Sequence, residues 1–203
     1  MISSGDALKS LAIEAALSPQ EEKLEVGQKK QKLFIGIPKE TEFQEQRVAL
    51  VPQSVGLLIA NGHRVVVETN AGKNANFNDN DYSEIGAEIA YDTSEIYKAD
   101  IILKVTPPND NEINMMRHKQ ILFSALQLTV QPKSALKKLM DKKITAIAWD
   151  YIEDEGGSFP IIRSMGEIAG TTSVLIAAEL MSNANKGKGL MLGGVAGITP
   201  PEM

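Results

Sequence analysis

Two basic side chains have the type and position to bind an anionic or carbonyl-bearing ligand. Lys104 interrupts the apolar run 101–105, and Arg47 lies in a charged loop that follows the apolar run 33–37. A lysine at the end of a buried strand is costly unless it emerges at the strand's carboxyl edge or is paired. Lys104 is therefore predicted to bind a carboxylate or carbonyl oxygen, or to transfer a proton at a lowered pKa. The alternative is a strand-end lysine that snorkels to solvent.

Arg47 offers a planar guanidinium that can bind a carboxylate or phosphate through two parallel hydrogen bonds. The same loop contains Glu40, Glu42 and Glu45, and any of these could instead hold Arg47 in an internal ion pair. The position of Arg47 in the sequence leaves ligand binding and an internal ion pair equally open.

The composition excludes several kinds of chemistry. The 203 residues include no cysteine and only 2 histidines, which rules out thiolate nucleophiles, disulfides, cysteine-ligated metals and histidine-rich metal sites. The net charge of -5 argues against nucleic acid or an anionic membrane as the main partner. The apolar stretches are far shorter than the roughly 20 residues of a membrane helix, and no basic segment precedes an apolar leader. We therefore expect a soluble, cytoplasmic protein without a metal site.

The elements that must position Arg47 and Lys104 are apolar runs that alternate with segments of helical spacing. Strands are predicted at 33–37, 64–68, 101–105, 120–125 and 144–149. Helices are predicted at 52–60, 81–87, 93–98, 112–116 and 133–142. This alternation predicts an α/β fold, a doubly wound and mostly parallel sheet of Rossmann-like or flavodoxin-like type. Such sheets bind ligands beyond the carboxyl ends of their strands, here residues 38–40, 104–108 and 127–132.

The two ends of the chain differ from this central part. Residues 1–31 are predicted to form an N-terminal arm with a helix over 6–17, or alternatively a loosely held, solvated terminus. A long connecting helix is predicted over 164–183, because Ser164 and Glu167 have the spacing of a capping box and small and apolar residues follow them. The glycines between 187 and 193 miss the dinucleotide fingerprint by one position, which favours a linker or hairpin there.

Several short motifs occur along the chain in a fixed order. They are Gly36-Ile37-Pro38-Lys39-Glu40, Arg47-Val48-Ala49-Leu50 before Pro52, Gly62-His63, Ala71-Gly72, Leu103-Lys104-Val105, Met165 before Glu167-Ile168-Ala169-Gly170, and Gly193-Gly194-Val195 before Pro200-Pro201. In this order they resemble the N-terminal part of the alanine dehydrogenase and nicotinamide nucleotide transhydrogenase family, over about residues 33–203.

The resemblance implies part of a two-domain, NAD-dependent oxidoreductase that interconverts L-alanine with pyruvate and ammonia. It implies a substrate domain over 32–162, and over 163–203 a connecting helix with the start of a truncated NAD-binding domain. It also implies a small-molecule substrate and a homo-oligomer, with no nucleic-acid or membrane partner. In the family the Gly-x-Gly-x-x-Gly loop follows the position of Pro201, so we expect this chain alone to be inactive.

The resemblance also assigns roles to individual residues. Arg47 matches the arginine that binds the carboxylate of pyruvate or alanine, and Lys104 matches the lysine that contacts the carbonyl or amine. A cation beside a carbonyl favours the negative charge that develops on its oxygen, so these roles agree with the chemistry of the residues. Met165 and Gly166 lie where the family approaches its cofactor, and Gly166 replaces a serine that many dehydrogenases have.

Gln127 stands where the family has its catalytic histidine. A glutamine can orient a substrate by hydrogen bonds, but it does not transfer a proton near neutral pH. Gln127 is therefore predicted to line the site, with water or Lys104 as the acid or base. The alternatives are a ligand-binding or regulatory homologue without turnover and a transhydrogenase-like nucleotide-binding fragment. Residues 154–162 lack the arginine–glutamine–aspartate loop of transhydrogenases, and their Gly-Gly-Ser-x-Pro turn resembles the dehydrogenase branch.

Overall fold

The computed structural model describes residues 32–190 and residue 193, and within them six strands form a single parallel sheet. The strands are β1 (Phe34–Ile37), β2 (Arg64–Glu68), β3 (Glu88–Ala90), β4 (Ile101–Leu103), β5 (Ile121–Ser124) and β6 (Thr145–Ala148), in the spatial order β3-β2-β1-β4-β5-β6. The helices are α1 (Pro52–Ala60), α2 (Asp79–Glu84), α3 (Thr93–Ile96), α4 (Asp110–Met115), α5 (Lys133–Asp141) and α6 (Pro160–Met181). The predicted α/β class and parallel sheet are confirmed. The predicted arm over 1–31 lies outside the described residues, and so do residues 191–203, except residue 193, of the unit predicted over 163–203.

The order of the sheet reverses between its two central strands, β1 and β4. β1 pairs with β2 on one side and with β4 on the other, where Ile35 lies opposite Ile101 and Gly36 opposite Ile102. The chain leaves β1 towards one half of the sheet and leaves β4 towards the other half. The two loops therefore diverge and open a crevice at the carboxyl ends of the strands.

Both faces of the sheet are packed, because the strands consist of nearly continuous apolar runs. One core cluster contains Ile102 and Leu122 together with Ile96 at the end of α3. The other lies on the opposite face and contains Val65, Val67 and the neighbours that they share with α1. The close approach of α3 to β1 requires a glycine at position 36, since a Cβ there would lie 2.6 Å from the carbonyl oxygen of Ile96.

The long helix α6 begins earlier than the sequence predicts. Its first residue is Pro160, and the Ser164 hydroxyl donates to the carbonyl oxygen of Pro160 instead of forming a capping box with Glu167. The predicted start at Ser164 is wrong because a proline at the first helical position already sets the required backbone angle. None of the residues of α6 is buried. Among the helices described, none is long and apolar enough to span a membrane.

Candidate functional site

A cavity of about 330 Å³ lies where the loops after β4, β5 and β6 meet the loop after β1 and the first turns of α6. Its wall is mostly apolar, with Val48, Leu50, Val105, Ala125, Ile161 and Ile162 among the lining residues. Arg47 and Asp150 are its two charged lining residues. An apolar cavity with a few convergent polar groups at the carboxyl edge of a parallel sheet is the expected form of a small-molecule site.

Arg47 is oriented by Glu45, two residues before it. Its Nε donates to Glu45 Oε1 at 2.8 Å, and its Nη2 donates to Glu45 Oε2 at 2.6 Å. This hydrogen bonding raises the pKa of the Arg47 guanidinium and lowers the pKa of the Glu45 carboxyl. Arg47 therefore forms an internal ion pair and also lines the cavity.

The guanidinium of Arg47 keeps one edge that Glu45 does not occupy. A guanidinium has five N–H donors, and the ion pair with Glu45 uses one from Nε and one from Nη2. Nη1 lies 3.5 Å from the sulfur of Met165, a weak acceptor on α6 that also lines the cavity. The Nη1–Nη2 edge therefore has the geometry for a second, bidentate carboxylate.

Lys104 is fully buried and does not line the cavity. Its Nζ lies 2.8 Å from Glu112 Oε1 and 3.3 Å from Glu40 Oε2, and the side chains of these partners are 5% and 4% exposed. The cavity is lined instead by the next residue, Val105. The snorkelling alternative is wrong, because a snorkelling ammonium would reach water.

The two carboxylates beside Lys104 also bind backbone groups, which explains why they tolerate burial. Glu40 accepts hydrogen bonds from Val105 N at 2.6 Å, from Thr106 N at 3.3 Å and from the Thr106 hydroxyl. Glu112 belongs to the capping box of α4, in which Asn109 N donates to its Oε2 at 2.8 Å. Lys104, Glu40 and Glu112 therefore form a buried triad that ties the loop after β1 to the end of β4 and to α4.

Gln127 is exposed, and it is not among the residues that line the cavity. Its backbone has a positive φ of 46°, and its amide N donates to Asp150 Oδ2 at 3.1 Å. The neighbouring Leu126 N donates to Asp150 Oδ1 at 3.2 Å. Asp150 is a site residue that the sequence prediction missed. It lies two positions after the end of β6, so the rule that ligands lie beyond the carboxyl ends of strands could have found it.

Met165 lines the cavity beside Arg47, whereas Gly166 does not. A Cβ at Gly166 would meet nothing within 4 Å, so the surface there is open and has no cradle for a phosphate. Gly187 is closely packed, with Leu180 O only 2.2 Å from an added Cβ, so a tight turn requires the glycine there. Among the residues that the structure describes, no cluster of His, Asp and Glu is suited to a metal ion.

Comparisons with known proteins identify the domain to which these residues belong. A family model described as alanine dehydrogenase/PNT, N-terminal domain, matches residues 36–169. The alanine dehydrogenase of Bacillus subtilis is 40% identical over 167 residues, which are 82% of this chain and 44% of that protein. The alanine dehydrogenase of Staphylococcus epidermidis is 39% identical over 164 residues, 81% of this chain and 44% of that protein.

Two solved structures show how widely the fold is shared. An L-alanine dehydrogenase superposes with a TM-score of 0.77 at 37% identity, covering 82% of this chain and 46% of the other. A transhydrogenase from Sinorhizobium meliloti superposes with a TM-score of 0.53 at 30% identity, covering 57% of this chain and 33% of the other. The chain spans less than half the length of these alanine dehydrogenases. By its fold, its match to the family model and its relatives, the chain belongs to the alanine dehydrogenase/PNT family and carries the N-terminal domain of that family.

Proposed function

We propose that this chain is the substrate-binding part of an NAD-dependent alanine dehydrogenase that interconverts L-alanine with pyruvate and ammonia. The observation that carries the proposal is the Nη1–Nη2 edge of Arg47, which Glu45 does not occupy and which has only a weak contact with Met165, in an apolar cavity at the carboxyl edge of the sheet. Such an edge binds the carboxylate that alanine and pyruvate share. The apolar wall suits their methyl group, and the alanine dehydrogenases among the relatives support the choice of reaction.

In this proposal Lys104, which is buried outside the cavity in this structure, becomes accessible when the substrate binds and contacts its carbonyl oxygen or amine. An ammonium has three N–H donors, and Glu112 and Glu40 occupy two of them. The longer contact, 3.3 Å to Glu40, is the one that Lys104 would exchange for a substrate oxygen. The positive charge would then stabilise the oxygen that becomes negative as the carbonyl is attacked.

Gln127 and the first turns of α6 have supporting roles in the proposal. Gln127 would reach the substrate by rotation of its exposed side chain and hold it by hydrogen bonds, without transferring a proton. NAD would accept the hydride from L-alanine. Met165 and Gly166 would lie on the side of the cavity that faces NAD. The full-length protein is proposed to be a cytoplasmic homo-oligomer.

The test uses the full-length protein that carries this chain and measures NADH-dependent amination of pyruvate. Arg47→Lys keeps the positive charge but removes one of the two parallel hydrogen bonds to the substrate carboxylate. KM for pyruvate should therefore rise about tenfold or more. Arg163→Lys is the matched control, because Arg163 is exposed and pairs with Glu167 one turn along α6. The proposal is wrong if the wild type does not reduce pyruvate, or if both variants behave alike.

A second candidate, ligand binding or regulation without turnover, is favoured by Gln127 at the position of the family histidine. The discriminating experiment compares the wild type with Gln127→His for oxidation of L-alanine by the full-length protein. An inactive wild type that binds alanine and is activated by the histidine supports the binding role. Turnover by the wild type excludes it. The transhydrogenase relationship covers less of the chain and is the weaker alternative.

A further inference from the structure

We propose that Asp150 binds the α-ammonium group of an amino-acid substrate, so that the cavity selects a small apolar zwitterion over a simple carboxylate. The inference builds on the proposed function, because it uses the same cavity and the same carboxylate anchor. Arg47 and Asp150 are the two charged residues that line this cavity, and they carry opposite charges. A free amino acid also carries one positive and one negative group on neighbouring atoms.

Asp150 has acceptor capacity left for such a ligand. A carboxylate has about four acceptor positions. Two are used, one on each oxygen, by Leu126 N at 3.2 Å and Gln127 N at 3.1 Å. Among residues 32–190 and residue 193, no lysine or arginine forms an ion pair with Asp150. The carboxylate therefore lies half-buried at the cavity without a cationic partner.

The remaining wall of the cavity agrees with a small ligand. Val105, Ala125 and Ile162 are apolar and leave no donor or acceptor for a polar side chain. Next to such a wall a carboxylate gains little from water, so a desolvated ammonium is a favourable partner for it. A volume of about 330 Å³ is at the small end for ligand sites, which run from roughly 300 to 1,000 Å³.

The competing explanation is that Asp150 only fixes the backbone of Gln127, which has a positive φ of 46°. This purely structural role would change the binding of every ligand in the cavity to a similar extent. Direct contact with an ammonium would change only ligands that carry one. Pairs of ligands that differ in the ammonium group alone therefore separate the two explanations.

The experiment measures binding of L-alanine and of propionate to the full-length protein by calorimetry, without cofactor and without turnover. Propionate has the carboxylate and the methyl end of alanine but lacks the ammonium. The wild type should bind alanine more tightly, and Asp150→Asn should weaken alanine binding about tenfold or more, as expected for a charge-assisted hydrogen bond. Propionate binding should change less than about threefold, because Arg47 still holds its carboxylate.

The matched control is Asp154→Asn. Asp154 also accepts two backbone hydrogen bonds, from Gly156 N and Ser158 N, each at 2.9 Å, but it does not line the cavity. Binding of both ligands should be unchanged in this control. If Asp150→Asn does not fold, Asp150→Glu replaces it, and this variant should retain the preference for alanine because it retains the charge.

Several results would overturn the role of Asp150. They are equal binding of alanine and propionate by the wild type, parallel weakening of both ligands in Asp150→Asn, no weakening of either, or loss of the preference in a folded Asp150→Glu. Failure of the proposed dehydrogenase function is a different outcome. A wild type that prefers alanine over propionate but never reduces pyruvate would refute the enzyme and leave the ammonium contact intact.

Discussion

The buried triad of Lys104, Glu40 and Glu112 makes a prediction about stability that can be worked out from its geometry. Lys104→Met replaces the ammonium by an apolar group of similar length and leaves two carboxylates without their cation. Both contacts, at 2.8 and 3.3 Å, are buried, and the lysine has no exposed surface. Removing one partner of a buried ion pair costs about 3–5 kcal/mol. That is a large part of the roughly 5–15 kcal/mol that stabilises a typical domain.

The backbone contacts of the carboxylates decide where in this range the cost falls. Glu40 keeps its hydrogen bonds from Val105 N and Thr106 N in the variant, and Glu112 keeps the one from Asn109 N. Neither carboxylate is then left without any partner, so the full desolvation penalty does not apply. We therefore expect a loss near the lower end, about 3 kcal/mol.

The assay is urea unfolding of the 203-residue chain, followed by tryptophan fluorescence. Trp149 is the single tryptophan of this chain, and its Nε1 donates to the carbonyl oxygen of Lys104 at 2.6 Å, so the probe lies beside the perturbation. The control is Arg163→Met, which breaks the exposed pair with Glu167 and should cost less than about 0.5 kcal/mol.

A second variant separates the uncompensated charge from the loss of packing. Lys104→Met combined with Glu112→Gln removes one of the carboxylate charges that Lys104→Met leaves without a cation. The double variant should therefore lose less free energy of unfolding than the two single variants lose together. The reasoning would be refuted if Lys104→Met unfolded within about 1 kcal/mol of the wild type, since a buried triad of charges should cost more than that to break.

Three further predictions concern other parts of the chain. Glu45→Gln should weaken pyruvate binding several-fold, because Arg47 loses a charged orienting partner; tighter binding would mean that Glu45 competes with the substrate. Gly36→Ala should lower the free energy of unfolding by about 1–3 kcal/mol, since a backbone oxygen lies 2.6 Å from the new Cβ, whereas Gly170→Ala on α6 meets nothing within 4 Å and should raise it by about 0.5–1 kcal/mol. Burial raises the pKa of Tyr82 to about 12, above the unfolded value of about 10. Its stabilising contribution is therefore complete below pH 10 and is lost as the pH rises from 10 towards 12, so melting temperatures across this range should fall less in Tyr82→Phe than in the wild type.

Much of the fold was predictable because the pattern along the chain is local. Buried parallel strands read as continuous apolar runs, and five of the six strands in the described region were predicted from them. The sixth, β3, has only three residues and begins with Glu88, so it carries too little of this pattern. The start of α6 was mispredicted because the sequence has two signals for a helix start, Pro160 and the Ser164-x-x-Glu167 spacing. The helix begins at the first of them, Pro160.

The candidate site was less predictable, because its contacts join distant parts of the chain. The interruption of an apolar strand by Lys104 correctly indicated an unusual lysine. Its pairing with Glu40, 64 positions earlier, depends on the sheet order and leaves no local signal. The position of Glu112 left one local signal in the sequence, the Asn109-x-x-Glu112 spacing of a capping box. That spacing does not show that the same carboxylate also binds a lysine.

The charges of the described site support ligand binding better than proton transfer. Lys104 shares its ammonium between two buried carboxylates, and giving up either contact leaves a charge that needs a new partner. Gln127 has an amide that neither takes up nor releases a proton near neutral pH. Asp150 already accepts two backbone hydrogen bonds, and in the inference above its remaining acceptor positions hold the ammonium group. If the full-length protein turns over alanine, its proton must therefore travel through water, through a Lys104 released by the arriving substrate, or through a group beyond the described residues. The ammonium contact of Asp150 fits all three routes, because it holds the amine beside the cavity without having to take its proton.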